Sequence, residues 1–323
     1  MDEHVASTDP TDTLIARLYR NALAVPPDQF RAWALEQVAQ LIPCDGALWG
    51  SGLAAQMRFH TVTVRGLPAE FPQRLQATVP VNPLPARILS QLGQPVDMED
   101  VLTDAQFHDS EIYRRVFGPF GIERILATGH RDDRSGLYSL VTLYRRDAQA
   151  RFTAVEKQRQ QHITFHLFNA ASHSFFLHLL RHTDRVVGRG AAVIDGHGHF
   201  HEAQPRFFDL LEENFPDHKV RESNLPFEMP PVGETVTRGK LCVRCEALGD
   251  LFMLQVWKSG PLDRLTARER EIVMAVSQGL SFKQAARKIG VAPSTVANHL
   301  YRVYRKLGVS SRTELATVVH PGA

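Results

Sequence analysis

Polar and basic side chains recur along one face of residues 293–307, near the end of the chain. The apolar side chains of this segment share a helical face at about 100° per residue, and they are Val296, Leu300, Val303 and Leu307. The polar side chains that point the other way are Ser294, Asn298, Tyr301, Arg302 and Arg305. In the major groove of DNA, asparagine can read an adenine edge, serine either type of base, and arginine a guanine or a phosphate. We therefore predict that this face and Thr295 contact DNA, and that Lys283 and Gln284 hold backbone phosphates.

Three histidines, His197, His199 and His201, alternate along the chain. On a strand they would share one face, as metal ligands on a strand do. They follow an Asp195-Gly196 turn, however, and the sequence identifies no acidic side chain that would orient their imidazoles toward a metal. We therefore predict no metal at this segment.

The remaining residues with chemical potential lack partners in the sequence. Cys242 and Cys245 resemble half of a zinc ribbon, but the second pair is absent, and strand geometry sends the two to opposite faces. We interpret them as packing residues. The sequence contains no Walker-type phosphate loop, nucleophile elbow or metalloprotease helix, and Cys44 has no base that can be placed beside it. The chain is therefore predicted not to be an enzyme, and no cofactor is expected.

Large apolar side chains lie near the first predicted sheet and could line a ligand pocket. These are Trp49, Met57, Phe59, Tyr113, Phe117 and Phe120. His60 and His130 could anchor a polar group of a small-molecule effector. The alternative is that these side chains belong to the core, and that the N-terminal half is a protein-docking or dimerisation platform without a ligand. The sequence leaves both alternatives open.

Composition bounds the class of protein. With 323 residues, 43% hydrophobic and 22% charged, the chain fits a soluble protein of two or three domains. No apolar run is long enough to span a bilayer, and the N-terminus is acidic and polar. The odd number of cysteines, three, argues against a disulfide framework. We therefore expect a cytoplasmic protein without a membrane partner.

Residues 262–323 hold ten lysines and arginines against four acidic residues, a net charge of +6. This predicts a polyanionic partner for the C-terminal segment.

Start and stop signals divide the last sixty or so residues into four short helices. Three capping boxes mark helix starts: Thr266 with Glu269, Ser281 with Gln284, and Ser311 with Glu314. Pro293 suits the first position of a further helix. Helices should stop at Gly279, Gly290 and Gly308. The tight turn over residues 290–292 then joins the second and third helices as a helix-turn-helix.

This module resembles the helix-turn-helix of the LuxR family. The resemblance covers about a fifth of the chain and is carried by residues 265–271, Gly279, Thr295-Val296 with His299, residues 306–309 and Arg312-Thr313-Glu314. It departs at Phe282, where asparagine is usual, and at Ala297, where lysine is common. At Ala292 a capping serine is usual, and its loss should cost the helix about 1 kcal/mol. The resemblance implies a transcription regulator that binds double-stranded DNA and recruits RNA polymerase.

The rest of the chain is predicted to be mixed. Two helices, over 14–23 and 30–42, precede strand-like segments within 47–64 that contain a Gly50-Ser51-Gly52 turn. A proline-rich loop region over 68–85 and two strands, over 121–129 and 136–144, follow. A capping box at Thr153 and Glu156 starts a helix that runs to about residue 185. A second strand-rich segment covers 191–257, with a helix over 206–214.

The order of these elements resembles two sensor folds built on antiparallel sheets. Residues 1–185 resemble a GAF domain with a long terminal helix, and residues 186–258 a PAS domain. The predicted fold class is α+β, with the GAF-like and PAS-like domains followed by the four-helix helix-turn-helix module at 259–323. We expect a homodimer, paired through the long helix, in which a small-molecule effector bound by the sensor half controls DNA binding.

Overall fold

The computed structural model describes residues 9–53, 58–132, 137–183, 188–218 and 225–319. They divide between two compact units. The N-terminal unit holds the residues up to Val236 together with Val243–Val256. The C-terminal unit holds Thr237–Cys242 together with the residues from Trp257 onward. None of the helices in the described ranges is long and apolar enough to cross a membrane.

The first half of the N-terminal unit is an antiparallel sheet of five strands in the order β2-β1-β5-β4-β3. The strands are β1 (Gly46–Leu53), β2 (Arg58–Arg65), β3 (Pro95–Asp97), β4 (Arg124–Arg131) and β5 (Tyr138–Arg145). The helices are α1 (Pro10–Asn21), α2 (Pro27–Leu41), α3 (Phe71–Ala77), α4 (Leu84–Ser90), α5 (Asp104–Asp109) and α6 (Ala154–Thr183). Short 3-10 and π turns lie among α4, β3 and α5 in the segment between α3 and β4.

Helices cover both faces of this sheet, and the alternating side chains of its strands pack into a separate core on each face. On β1, Trp49 packs into the core formed with α1, α2 and α6, whereas Leu48 packs into the core formed with α3, α4 and α5. The predicted capping box starts α6: the N–H of Glu156 donates to Oγ1 of Thr153, and the N–H of Thr153 donates to the Glu156 carboxylate. The last described residue of α6 is Thr183.

A second five-stranded sheet, in the order β7-β6-β10-β9-β8, follows. Its elements are β6 (Gly190–Ile194), β7 (Phe200–Ala203), α7 (Pro205–Asn214), β8 (Thr235–Arg238), β9 (Leu241–Leu248) and β10 (Leu251–Lys258). The end of α6 packs on this sheet through Phe175 and Leu179, so one helix supports both sheets. The observed class, mixed helix and sheet with two antiparallel sheets, agrees with the prediction.

Two local predictions were wrong. Residues 50–52 do not form a turn but lie within β1, where the register shifts between Ser51 and Gly52. Glycine is needed there for close approach, since a Cβ on Gly50 would lie 2.5 Å from the ring of Phe59. The stretch over 68–85, predicted to be loop-rich, instead contains α3 and the start of α4. Both helices carry proline in their first turn, where its missing N–H costs no hydrogen bond.

Candidate functional site

The C-terminal unit contains four helices whose ends are fixed by the predicted signals. They are α8 (Ala267–Ser277), α9 (Phe282–Ile289), α10 (Pro293–Leu307) and α11 (Arg312–Val319). Reciprocal capping boxes start α8 at Thr266 and α9 at Ser281. Gly290 and Gly308 adopt the left-handed conformation, with φ of 75° and 68°, directly after α9 and α10. The segment is therefore a helix-turn-helix, with α10 as its second helix.

The third predicted capping box forms only in part. The N–H of Glu314 donates to Oγ of Ser311 at 3.1 Å, as predicted. The Glu314 carboxylate, however, accepts from the N–H and hydroxyl of Ser310, at 2.8 and 3.0 Å. Serine at position 310 offers two donors to the carboxylate, and the reciprocal bond moves one residue back along the chain.

The α10 helix starts without a side-chain cap. Its N-cap residue is Ala292, whose φ of −73° and ψ of 147° are those of a capping residue, yet alanine has no acceptor. The N–H of Thr295 donates to the Ala292 carbonyl oxygen at 3.0 Å instead. Alanine at this position, where the LuxR pattern has a capping serine, therefore leaves α10 without a side-chain cap, as predicted.

Two arginines of the module bind its own backbone. Nη2 of Arg268 donates to the carbonyl of Ile289 at 3.0 Å. Nη2 of Arg312 donates to the carbonyls of Val276 and Leu280, at 2.8 and 2.9 Å. Both side chains satisfy carbonyl groups at helix ends. The two guanidinium groups keep their charge, but these hydrogen bonds hold them against the module's own backbone.

A third cation is held by a buried carboxylate. Nζ of Lys306 lies 2.6 and 2.8 Å from the carboxylate oxygens of Glu269, which is 4% exposed. This hydrogen bond, together with that from the N–H of Thr266, lowers the pKa of Glu269 below its usual value. Glu269 thus caps α8 and ties it to the end of α10.

The predicted DNA-binding residues form an exposed surface, which we call the recognition face: Ser294, Thr295, Asn298, Tyr301, Arg302 and Arg305. Thr295 is half-buried and the others are exposed, Tyr301 to 66%. On the opposite side of α10, Val296, Leu300 and Val303 are buried in the core of the module. An exposed tyrosine beside two exposed arginines is poorly explained by folding alone.

The two residues predicted to hold phosphates stand at the start of α9. Lys283 is exposed, and no hydrogen bond to its side chain occurs within the described part of the chain. Gln284 is exposed as well, but its Oε1 accepts hydrogen bonds from the N–H and hydroxyl of Ser281. The amide oxygen of Gln284 therefore serves the helix cap.

A cavity of about 640 Å³ opens in the N-terminal unit between β1, β5, α6 and β7. Its apolar and aromatic lining includes Trp49, Leu137, Phe165, Phe168, Phe175 and Phe176. Its polar lining includes Arg31, Ser51, His130, Ser139, Ser172, His201 and Glu202. The volume falls in the range of small-molecule sites, about 300–1,000 Å³, and an apolar lining with a few polar groups is typical of them.

Two buried hydrogen-bond donors in the cavity lack an acceptor among the described residues. They are Nε of Arg31 and Nε1 of Trp49. The Arg31 guanidinium donates to Oγ1 of Thr61 at 2.7 Å and contacts Nδ1 of His201 at 3.4 Å. Burial lowers the pKa of Arg31 to about 10, and Asp250 opposes this only from beyond ion-pair distance. The cavity therefore offers a buried positive charge to an acceptor.

The structure separates the eight predicted ligand residues. Trp49 and His130 line the cavity, and His130 stacks on Phe168 with ring centroids 5.6 Å apart. On the other face of the sheet, the core with α3, α4 and α5 contains Phe59, Tyr113, Phe117 and Phe120. His60 lies near the second sheet, and Met57 is outside the described residues.

Arg31 was missed by the sequence analysis, although a signal was present. It lies four and seven positions before Leu35 and Val38, which are buried on the same face of α2. A charged residue on the apolar face of a helix marks either a buried ion pair or a site. Phe168 and His201, by contrast, reach the cavity only through tertiary packing.

Asp195 lies at the centre of a cluster of histidines. Its Oδ2 is 2.7 Å from Nδ1 of His60 and 3.2 Å from Nδ1 of His199. Its Oδ1 accepts hydrogen bonds from the N–H groups of His197 and His199, at 2.8 and 3.0 Å. Burial raises the pKa of Asp195, but the contact with His201 and these backbone hydrogen bonds outweigh burial and hold it well below its usual value. The acidic neighbour that the sequence analysis did not identify is therefore the turn residue itself.

The cysteines that the sequence analysis considered have neither metal-binding partners nor an activated thiol among the described residues. Cys242 and Cys245 are buried and unbridged, in agreement with a packing role. Burial raises the pKa of Cys44 to about 11, which disfavours the nucleophilic thiolate. On α6, Nδ1 of His166 lies 3.1 Å from the hydroxyl of Tyr19 on α1.

Residues 263–319 match the family described as bacterial regulatory proteins, luxR family. The chain therefore carries a C-terminal LuxR-type helix-turn-helix domain. It is 33% identical over 96 residues to the HTH-type transcriptional regulator YhjB of Escherichia coli, covering 28% of this chain and 48% of YhjB. It is 41% identical over 64 residues to the transcriptional regulatory protein UhpA of the same species, covering 20% and 33% of the two chains. The chain thus spans half or less of the length of these relatives.

Solved structures with partial similarity include SdiA in complex with octanoyl-rac-glycerol, at 12% identity and a TM-score of 0.39 over 96% of this chain and 92% of that one. A second is the N-acylhomoserine lactone dependent LuxR family factor CepR2 of Burkholderia cenocepacia, at 20% identity and a TM-score of 0.37 over 50% and 93% of the chains. These TM-scores lie below the level that establishes a common fold.

Proposed function

We propose that the chain is a transcription regulator that binds double-stranded DNA through the recognition face, and whose N-terminal unit binds a small molecule in the cavity. The LuxR-type match over 263–319 and the exposure of the recognition face support DNA binding. In this proposal the regulator acts in the cytoplasm as a homodimer and recruits RNA polymerase. The two sheets serve as GAF-like and PAS-like sensor domains. Val155, an exposed apolar residue on α6, supports pairing through that helix.

The position of each side chain along α10 predicts its role on DNA. Residues at the N-terminal end of a recognition helix contact base edges, and those toward its end contact the backbone. Asn298 therefore reads a base, and Arg305 contacts a phosphate.

Binding of labelled duplexes at several salt concentrations tests this assignment, after a preferred site has been selected from random sequence. Arg305→Ala should reduce the slope of log K against log salt by about 0.9 on every duplex. Asn298→Ala should keep that slope but lose about 1–3 kcal/mol of discrimination at one base pair. Arg20→Ala, which removes an exposed arginine of α1, is the control. Equal losses from all three variants, or no DNA binding by the wild type, would contradict the assignment.

The buried Arg31 guanidinium is the observation that carries the ligand proposal. Within the described part of the chain, no carboxylate lies at ion-pair distance from it. An uncompensated buried charge costs several kcal/mol, roughly 3–5 when a buried pair loses one partner. A ligand carboxylate placed against Arg31 would recover much of this cost. The indole N–H of Trp49 would then donate to the same group, since its Nε1 is also without an acceptor there.

The rest of the cavity defines the ligand further. Phe165, Phe168 and Phe175 require an apolar ring or chain. Glu202 also lines the cavity, accepts a hydrogen bond from Ser172, and favours a donor such as a hydroxyl. The proposed ligand class is therefore an aromatic or medium-chain carboxylate, including its hydroxylated forms.

Thermal unfolding of the full-length chain tests the ligand class, with hydroxybenzoates and medium-chain carboxylates each compared with the matching methyl ester. Binding adds RT ln(1 + [L]/Kd), about 2.7 kcal/mol at a hundredfold excess over Kd. The acid should raise the melting temperature more than the ester. Trp49→Phe keeps an aromatic ring but removes the N–H, and should reduce the shift; Trp33→Phe, outside the cavity lining, should not. No shift with any member of the panel would favour the platform without a ligand.

A further inference from the structure

A histidine and carboxylate cluster joins the two sheets of the N-terminal unit, and neither the recognition face nor the proposed ligand uses it. It consists of His60 on β2, Asp195 directly after β6 and His199 directly before β7, and we call it the histidine cluster. One ligand atom from each residue lies within 4.8 Å of the other two. We propose that the histidine cluster binds a divalent transition metal ion, and that its two imidazoles and one carboxylate suit Zn²⁺.

The distances are close to those that a metal requires. Two ligand atoms at about 2.0–2.1 Å from a tetrahedral zinc ion are separated by about 3.3 Å. Nδ1 of His199 is 3.2 Å from Oδ2 of Asp195. Nδ1 of His60 is 2.7 Å from the same oxygen, a hydrogen-bond distance that must open by about half an ångström when the ion replaces the shared proton. Side-chain rotation is sufficient for such a shift.

The cluster is held in place by its surroundings. The side chains of His60 and Asp195 are 0% exposed, and that of His199 is 9% exposed. Oδ1 of Asp195 is fixed by two backbone N–H groups of the turn, which leaves Oδ2 directed at the histidines. Such hydrogen bonds orient a metal-binding carboxylate.

A buried nitrogen beside the cluster supplies a second, independent observation. Nε2 of His201 is 3.8 Å from Oδ2 of Asp195, too far for a hydrogen bond, and has no hydrogen-bond partner among the described residues. The His201 ring is almost fully buried, so this nitrogen faces the cluster without a donor or acceptor to satisfy it. For this nitrogen to become the fourth ligand, the ring must turn away from Arg31 and carry its proton on Nδ1.

Metal binding would couple the two halves of the unit. His60 belongs to the first sheet, whereas Asp195, which is 135 positions away in the chain, and His199 belong to the β6–β7 connection of the second sheet. His201 also contacts Arg31 in the cavity through Nδ1, at 3.4 Å. An ion at the histidine cluster therefore clamps the sheets beside the cavity, at a site distinct from the proposed ligand contacts of Arg31 and Trp49.

Calorimetric titration of the chelator-treated full-length chain with ZnCl₂ tests the proposal. We expect one tight site per chain, and Co²⁺ at this site should show the visible absorption of tetrahedral coordination. His199→Ala and Asp195→Asn should each weaken Zn²⁺ binding at least about tenfold. Asn at position 195 retains the oxygen that accepts the backbone N–H groups, so the turn is preserved.

The control is His162→Ala, which removes an exposed histidine of α6 that could form a surface metal site with His166. It should leave the affinity for Zn²⁺ unchanged. His60→Gln, checked for folding by circular dichroism, provides a further variant if His199→Ala does not fold. Absence of Zn²⁺ binding by the wild type, or loss of binding in His162→Ala but not in His60→Gln, would overturn the proposal. Neither DNA nor a cavity ligand is present in this assay, so its failure is separable from failure of the proposed function.

Discussion

Replacing Ala292 by serine should stabilise the helix-turn-helix, because among α8–α11 the recognition helix α10 alone starts without a side-chain cap. The backbone is already suited to a cap. Ala292 has φ −73° and ψ 147°, close to the −66° and 162° of the capping residue Ser281. A hydroxyl at position 292 would accept from the N–H of Ser294 or Thr295 in the first turn of α10. A cap of this kind contributes about 1 kcal/mol relative to alanine, within a range of about 0.5–2.

Hydrogen exchange of the full-length chain, read by mass spectrometry, measures the gain where it arises. A stabilisation of about 1 kcal/mol slows exchange roughly fivefold for amides that exchange through opening of the C-terminal core. Peptides covering α10 should show this slowing in Ala292→Ser, and peptides covering β4 and β5 should not change.

Ala297→Ser makes the same chemical change at an exposed position inside α10. Serine is a poorer helix former than alanine by roughly 0.5 kcal/mol, so exchange should become about twofold faster. The two variants are thus expected to act in opposite directions. Equal slowing in both, or no slowing in Ala292→Ser, would refute the assignment of Ala292 as an uncapped helix start.

Three further perturbations test other parts of the structure. Lys306 lowers the pKa of Glu269, so the ionised carboxylate stabilises the fold above the usual pKa of 4.5, and this stabilisation is lost as the pH falls through the lowered pKa. Glu269→Gln should therefore make the stability of the C-terminal unit less sensitive to acid, as measured by hydrogen exchange between pH 6 and 3. Arg31→Met replaces an unpaired buried charge by an apolar chain and should raise the melting temperature while abolishing the response to carboxylates; a lower melting temperature would show that the charge is compensated. Gly190→Ala places a Cβ 2.5 Å from the backbone of α7 and should lower thermal stability by about 1–3 kcal/mol, whereas Gly196→Ala, whose Cβ meets nothing closer than 3.8 Å, should be neutral.

Local signals in the sequence were sufficient for the C-terminal helices. The caps at Thr266 and Ser281 and the glycine stops at Gly290 and Gly308 each depend on residues three to five positions apart, and the structure confirms them. The buried and exposed faces of α10 follow from helical periodicity in the same way. Among the three predicted capping boxes, that of Ser311 and Glu314 forms only in part, because Ser310 donates to the Glu314 carboxylate instead.

In the N-terminal unit the sequence determined the type of most elements but not the sites between them. Aromatic residues predicted for one pocket lie on opposite faces of the first sheet: Trp49 in the cavity, Phe117 in the packed core beneath α3. Alternation along a strand predicts that two faces exist, but the helices that cover each face decide which of them is filled.

The charged and polar sites were decided by contacts between distant segments. His60 meets Asp195 across 135 positions, and Arg31 meets His201 across 170. No periodicity relates such residues, because their approach depends on how α6 supports both sheets at once. The sequence by itself therefore determined a DNA-reading helix from short-range capping and periodicity. The cavity and the histidine cluster were decided only by tertiary packing, which brings buried polar groups together from elements that are independent in the chain.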